Sequence, residues 1–124
     1  MKAAEVKMLG AVLAAVCLVA AVFVSCKKQP EPKLPSLVNI TSSNCPACAD
    51  IKPAVDKIKE DFKGRLKVIV YDTAKPEGAE KAAMFNIEST PTLIFLDEDG
   101  VEYFRSSSIR DPDIIAALIN ARGR

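Results

Sequence analysis

Residues 37–64 read LVNITSSNCPACADIKPAVDKIKEDFKG, and most of that stretch is an amphipathic helix with its start and stop written into it. Ile51, Val55, Ile58 and Phe62 recur at spacings of four, three and four, one stripe of the α-helical period. Pro46 suits the first helical position, because the N–H it lacks would find no partner there. At the far end Lys63 puts a cation in the last turn, and Gly64 is able to take the left-handed conformation that closes a helix. In front of it, Leu37–Thr41 is short and apolar, as a strand would be. A strand feeding this helix through Asn44-Cys45-Pro46-Ala47-Cys48 places Cys45 at or just before the helix N-terminus and Cys48 one turn inside.

Two thiols at that spacing can close into a disulfide. Unpaired backbone N–H groups and the macrodipole favour a thiolate at Cys45, and Cys48 lacks most of that help. The asymmetry assigns Cys45 as the attacking nucleophile and Cys48 as the resolving thiol that breaks a mixed disulfide. A zinc site would want four Cys or His ligands, and the chain has no histidine and no second cysteine pair in its folded part, so no metal is expected. A purely structural disulfide is the blander alternative, but so small a loop restrains the unfolded chain little. Without histidine, Ser-His and Cys-His nucleophile systems, His-ligated metals and His general bases are excluded. No cofactor is called for beyond a redox-active Cys45–Cys48 disulfide.

The N-terminal segment, residues 1–26, is a different material. After Lys2 and Lys7 an uninterrupted apolar run extends from Leu9 to Val24, about the length of a secretory core and shorter than the ~20 residues of a bilayer span. It ends at Phe23-Val24-Ser25-Cys26, followed by Lys27-Lys28. This junction resembles that of bacterial lipoproteins, in which a small residue precedes a cysteine that is lipidated; Phe23 stands where that family prefers leucine. The resemblance implies lipidation at Cys26, with an uncleaved anchor or ordinary secretion as alternatives. Cys17 would leave with the leader, and acyl chains on Cys26 would fix the protein to a lipid bilayer outside the cytoplasm, where disulfides form and persist. Residues 27–36, with three prolines, read as a semi-extended linker, and residues 37–124 as one domain large enough to fold alone.

Removing Lys2, Lys7 and Glu5 with the leader leaves the charges balanced. No basic patch with interleaved aromatics exists, so nucleic acid is not an expected partner. Charges along the helix, Asp56 with Lys59 and Glu60 with Lys63 among them, read as a solvated face.

Downstream, Leu66–Tyr71 is a β-branched strand, giving a right-handed βαβ unit with parallel pairing. Glu77–Phe85 reads as a short helix with Ala79, Ala82, Ala83 and Phe85 inward. Thr92–Leu96 and Val101–Arg105 read as strands joined at Asp99-Gly100. A last helix, capped by Asp111 before Pro112, carries Ile114, Ile115, Leu118 and Ile119. The order is βαβαββα, an α/β domain of four strands and three helices.

Over nearly all of Leu37–Arg124 these residues resemble the thioredoxin superfamily. Three features carry the likeness: Cys45-Pro46-Ala47-Cys48 at a strand-to-helix turn, Pro53 five residues past the second cysteine, and Thr90-Pro91-Thr92 entering the third strand. The resemblance implies a thioredoxin-like fold with a central four-stranded mixed sheet flanked by three helices. It also implies a cis Thr90–Pro91 bond facing the disulfide, and a Thr90 backbone that binds extended substrates by strand-type hydrogen bonds. Pro53 is expected to sit inside one kinked helix. Two departures stand beside the active-site neighbours Pro46 and Ala47. Asn44 replaces the tryptophan that usually precedes the first cysteine, and Asn39 replaces the buried acid that shuttles the resolving thiol's proton. The first strand-helix pair of full-length thioredoxin is missing as well.

The sequence therefore points to an extracytoplasmic, membrane-anchored thiol–disulfide oxidoreductase, monomeric, acting on protein disulfides as a reductant and recharged by a membrane thiol–disulfide electron donor. An oxidant or isomerase running the same chemistry in the other direction is one alternative. A non-catalytic, lipid-anchored binding module of the same fold is another, motivated by Asn39 and Asn44.

Overall fold

The computed structural model describes residues 30–122. Within them β1 (Ser36–Thr41), α1 (Pro46–Asp61) and β2 (Lys67–Asp72) form the expected crossover unit, with β1 and β2 parallel and Leu37 beside Val68. A parallel pair cannot be joined by a tight turn, and the helix supplies the crossover. β1 is central: its other edge pairs antiparallel with β3 (Thr92–Leu96), which brings Asn39 opposite Leu93. β4 (Glu102–Ser106) adds antiparallel to β3, giving the strand order β2-β1-β3-β4. With α2 (Pro76–Met84) and α3 (Pro112–Ala121) this is the four-stranded mixed sheet and three helices read from the sequence.

Alternation along the strands divides the core into two layers. Leu37, Leu93 and Phe95 pack with Ile51, Val55 and Ile58 of α1 and with Ile115 and Ile119 of α3. Val38, Ile40 and Ile94 face the other way, onto Ala82 and Phe85. Asn39 alternates with Val38 and Ile40, so it shares the α1 side of the sheet with Leu37.

α1 continues through Pro53 as one helix, and the stripe Ile51, Val55, Ile58 is buried beneath it. Proline donates no N–H, so the carbonyl one turn earlier, on the exposed Ala49, lacks its usual helical partner. Phe62 caps the helix and Gly64 follows at φ +78°, the left-handed stop expected of it. The solvated face is present with different partners: the pairs formed are Lys52 with Asp56 and Lys57 with Asp61, exposed ion pairs of little energetic weight.

Two inward-facing assignments need correction. In α2, Ala79 and Ala83 are exposed, and the stripe that meets the sheet is Gly78, Ala82 and Phe85. A Cβ on Gly78 would lie 1.8 Å from the Asp72 carbonyl oxygen, so α2 seats its glycine against the end of β2 and rotates the alanines outward. In α3, Ile115 and Ile119 are buried while Ile114 is 49% exposed, one residue off the stripe. Asp111 caps this helix as expected, its Oδ1 accepting from the Asp113 N–H at 2.8 Å. Between β3 and β4 the Asp97 carboxylate accepts from the N–H groups of Asp99 and Val101, and Gly100 takes φ +79°.

The apolar leader with Cys17 and Cys26 lies outside the described residues, as do Lys27–Gln29. No helix among the described residues is long and apolar enough to cross a membrane.

Candidate active site

Cys45 is the N-cap of α1. Its backbone is extended (φ −114°, ψ 112°), Pro46 follows at the first helical position, and its Sγ accepts the Cys48 N–H at 3.2 Å. Most N-caps present an oxygen to that N–H; here a sulfur takes the place, and a donor aimed at sulfur favours its anionic form. The same Cys48 N–H also reaches the Cys45 carbonyl, at 3.1 Å. The two cysteines are joined as a disulfide with Cα atoms 5.2 Å apart. Cys48 is 5% exposed and Cys45 is half-buried, so only the first sulfur is open to a reagent arriving from solvent.

Thr90 and Pro91 face the pair from the start of β3. Their peptide bond is cis, as the resemblance implies, and the Thr90 carbonyl oxygen lies 3.6 Å from Cys45 Sγ. A disulfide sulfur carries no proton, so in this state the approach is a packing contact. Pro91 is buried and Thr90 half-buried, while the Thr92 hydroxyl donates to the Ser89 carbonyl at 2.6 Å and ties the bend down. Asn44, Pro46 and Ala47 are exposed around the sulfurs, an apolar-to-neutral rim without charge.

Asn39 is buried on the α1 side of β1 rather than at the surface. It is 4% exposed, and its Oδ1 has no hydrogen-bond partner. A buried acceptor without a partner is uncommon, and an amide has no proton to exchange at neutral pH. The site therefore holds a polar atom at the place where the resemblance puts a proton carrier, without the ability to carry one.

One group was missed in the sequence. Asp72, at the end of β2, accepts from the Ser43 N–H at 3.1 Å, the Ser43 hydroxyl at 2.5 Å and the Ala74 N–H at 2.9 Å. The Ser43 hydroxyl above all, then the Ala74 N–H, holds this carboxyl below the ordinary aspartate range, so it is ionised at neutral pH. An aspartate directly after an apolar run does signal a local turn through its own side chain. Its second partner, 29 residues away in sequence, leaves no local signal.

A family model for the thioredoxin-like domain matches residues 22–123. The thioredoxin of Synechocystis sp. is 33% identical over 64 residues, covering 52% of this chain and 58% of the relative. The thioredoxin of Pseudomonas aeruginosa is 25% identical over 84 residues, covering 68% of this chain and 76% of its own length. Among solved structures, thioredoxin-2 of the malaria parasite, described as a component of the parasite's protein secretion machinery, superposes with a TM-score of 0.66 at 21% identity, covering 76% of this chain and 88% of that one. At that identity the likeness is one of fold. The chain spans 58% of the length of the Synechocystis relative it matches.

Proposed function

Because the chain belongs to the thioredoxin-like family, we propose that it is a thiol–disulfide oxidoreductase whose Cys45 thiolate attacks protein disulfides. The observation that carries this is the sulfur cap: Cys45 Sγ takes the Cys48 N–H at the helix start and lies beside the Thr90 carbonyl. In the reduced protein the Cys45 thiolate attacks one sulfur of a substrate cystine; the other substrate sulfur leaves as a thiolate and takes a proton from water. Cys48 then loses its proton and attacks Cys45 Sγ, which breaks the mixed disulfide and releases the second substrate thiolate. Two electrons pass to the substrate, and the pair is left as the disulfide. Thr90 pairs with the extended substrate backbone through its main chain while this happens. Asn39 offers no proton relay, so water or another group takes the Cys48 proton.

The direction proposed is reduction, with a membrane thiol–disulfide partner returning the pair to the dithiol. The setting proposed is extracytoplasmic, with the protein held to a bilayer through a lipid on Cys26. The orphaned Asn39 favours one second reading, a binding module that keeps the groove at Thr90 and Pro91 and performs no turnover.

Reduction of insulin by dithiothreitol tests the activity. The full-length protein in detergent is expected to accelerate it, Cys45→Ser to abolish the acceleration, and Cys48→Ser to accumulate mixed disulfides. Equal rates with and without Cys45 would establish the binding module instead. The equilibrium potential of the pair against glutathione decides direction, since about 30 mV corresponds to 1.4 kcal/mol in this two-electron couple. A value near −270 mV marks a reductant and one near −120 mV an oxidant. Mass spectrometry of the mature N-terminus decides the anchor, an intact Met1 ruling out the lipoprotein.

A further inference from the structure

The Ser43–Asp72 contact ties the turn that follows β1 to the last residue of β2. Ser43 stands two residues before Cys45, in the turn that delivers the cysteine from β1 to α1. The Ser42 carbonyl accepts the Cys45 N–H at 3.3 Å and the Ser42 hydroxyl accepts the Asn44 N–H at 3.4 Å, so whatever holds this turn also holds the cap. What holds it is Asp72, through two bonds from Ser43 to a single carboxylate. The support beneath Asp72 is firm: it pairs with Thr41 in the β1–β2 register, and Thr73 N donates to the Thr41 carbonyl at 2.8 Å, extending the ladder one residue beyond the strands. Gly78 closes in from the other side, with room for no side chain against the Asp72 carbonyl.

We propose that Asp72 is a positioning residue of the active site, fixing the Ser43 turn so that Cys45 stands at the spacing from Thr90 that an extended protein substrate requires. This rests on the oxidoreductase reading. A substrate in exchange is held twice, by the bond forming at Cys45 Sγ and by its backbone at Thr90, and these two points lie on segments 45 residues apart in sequence. Both holds succeed only if the segments keep their register; misplacement by about 1 Å can cost about a hundredfold in rate. Three hydrogen bonds converge on the one Asp72 side chain, two of them from Ser43, which suits it to this task. A small alkylating reagent touches Cys45 alone and has no backbone to register. The tie should therefore matter for proteins and not for small reagents.

Asp72→Ala removes every acceptor. Asp72→Asn keeps the shape: its oxygen can accept the same two N–H groups, and its amide can donate to Ser43 Oγ. In the full-length protein Asp72→Ala is expected to lower kcat/KM for insulin by about tenfold or more, with Asp72→Asn within about threefold of wild type. Alkylation of reduced Cys45 by iodoacetamide should stay within about threefold in both. Equal losses in the alanine and asparagine variants would overturn the proposal in favour of a role for the charge; unchanged insulin turnover in Asp72→Ala, or alkylation falling in step with turnover, would overturn it outright. Should Asp72→Ala fail to fold, Ser43→Ala removes only the hydroxyl and is expected to lower kcat/KM for insulin by about threefold, no change counting against the tie. A wild-type protein inert towards insulin would sink the oxidoreductase reading separately. Amide exchange at Asn44 and Cys45 then still tests the tie, with acceleration of about tenfold expected in Asp72→Ala and not in Asp72→Asn, and equal exchange in the two refuting it.

Discussion

Replacing Asn39 with leucine is expected to make the oxidised protein more stable. Asn39 is 4% exposed on the α1 side of β1, and its Oδ1 accepts nothing. A buried acceptor left unmade costs about 1–3 kcal/mol. Leucine branches at the same carbon and has nearly the same shape, and a close apolar replacement usually costs less than about 1.5 kcal/mol in packing. The gain from removing the orphan exceeds that cost over most of the range, leaving roughly 1–2 kcal/mol of added stability. For a domain of this size each kcal/mol moves the thermal midpoint by about 4–8 °C, so a rise of about 4–16 °C is expected. The assay is thermal unfolding followed by circular dichroism with the disulfide intact, at neutral pH. A midpoint that stays put or falls would refute the reasoning, because it would mean that Oδ1 is satisfied by a buried water which leucine expels. Repeating the measurement on Asn39→Ala, where the orphan also goes but a cavity opens, separates the polar contribution from the packing contribution.

Three further outcomes follow from the same geometry. Asn39→Asp places a carboxyl in the same burial, which raises its pKa above the ordinary aspartate value; since the raised group resists ionisation, the variant's stability relative to wild type should be highest below about pH 4 and fall as pH rises through the shifted pKa, while insulin turnover near neutrality should increase, both readable in parallel pH series. Gly78→Ala should cost about 3 kcal/mol or more, because its Cβ meets the Asp72 backbone at 1.8 Å, whereas Gly64→Ala, with open space and only a positive φ to oppose it, should cost about 1–2 kcal/mol; urea midpoints compare the two. Asp72, Glu98 and Glu102 are held below their ordinary range, chiefly by Ser43, Arg122 and Arg105. A depressed carboxylate contributes stability above its unfolded pKa and loses it as pH falls through the folded one, so acid unfolding should begin below about pH 4 and, the groups being exposed, should move with salt.

The fold was legible because its signals are local. The stripe Ile51, Val55, Ile58, the proline at the helix start, the glycine at its stop and the β-branched run before Asp72 each specify an element from within a few residues, and the structure has each of them. What was misread was also local in form but decided at a distance. Nothing in Pro76–Met84 says that its buried position is Gly78, because a glycine counts as no hydrophobe; only the closeness of the Asp72 carbonyl selects it. Ile114 is as apolar as Ile115, and only the packing of α3 on the core exposes one and buries the other.

The same division runs through the site. Cys45 and Cys48 could be told apart from sequence because one helix start sets them in different places, and in the structure Cys45 Sγ caps the helix while Cys48 is 5% exposed. Thr90 and Pro91 were legible only through resemblance, since their approach to Cys45 spans 45 residues. Asp72 was legible by neither route. Yet one local and two long-range features converge near one atom: the helix start caps the Cys45 sulfur, the Thr90 carbonyl lies 3.6 Å from it, and Asp72 bonds the turn that leads to it. Charge alone would serve any electrophile that reached Cys45. Under the proposal made for Asp72, protein substrates need the register as well, which is why a variant that spares the thiolate and loosens the turn is the informative one.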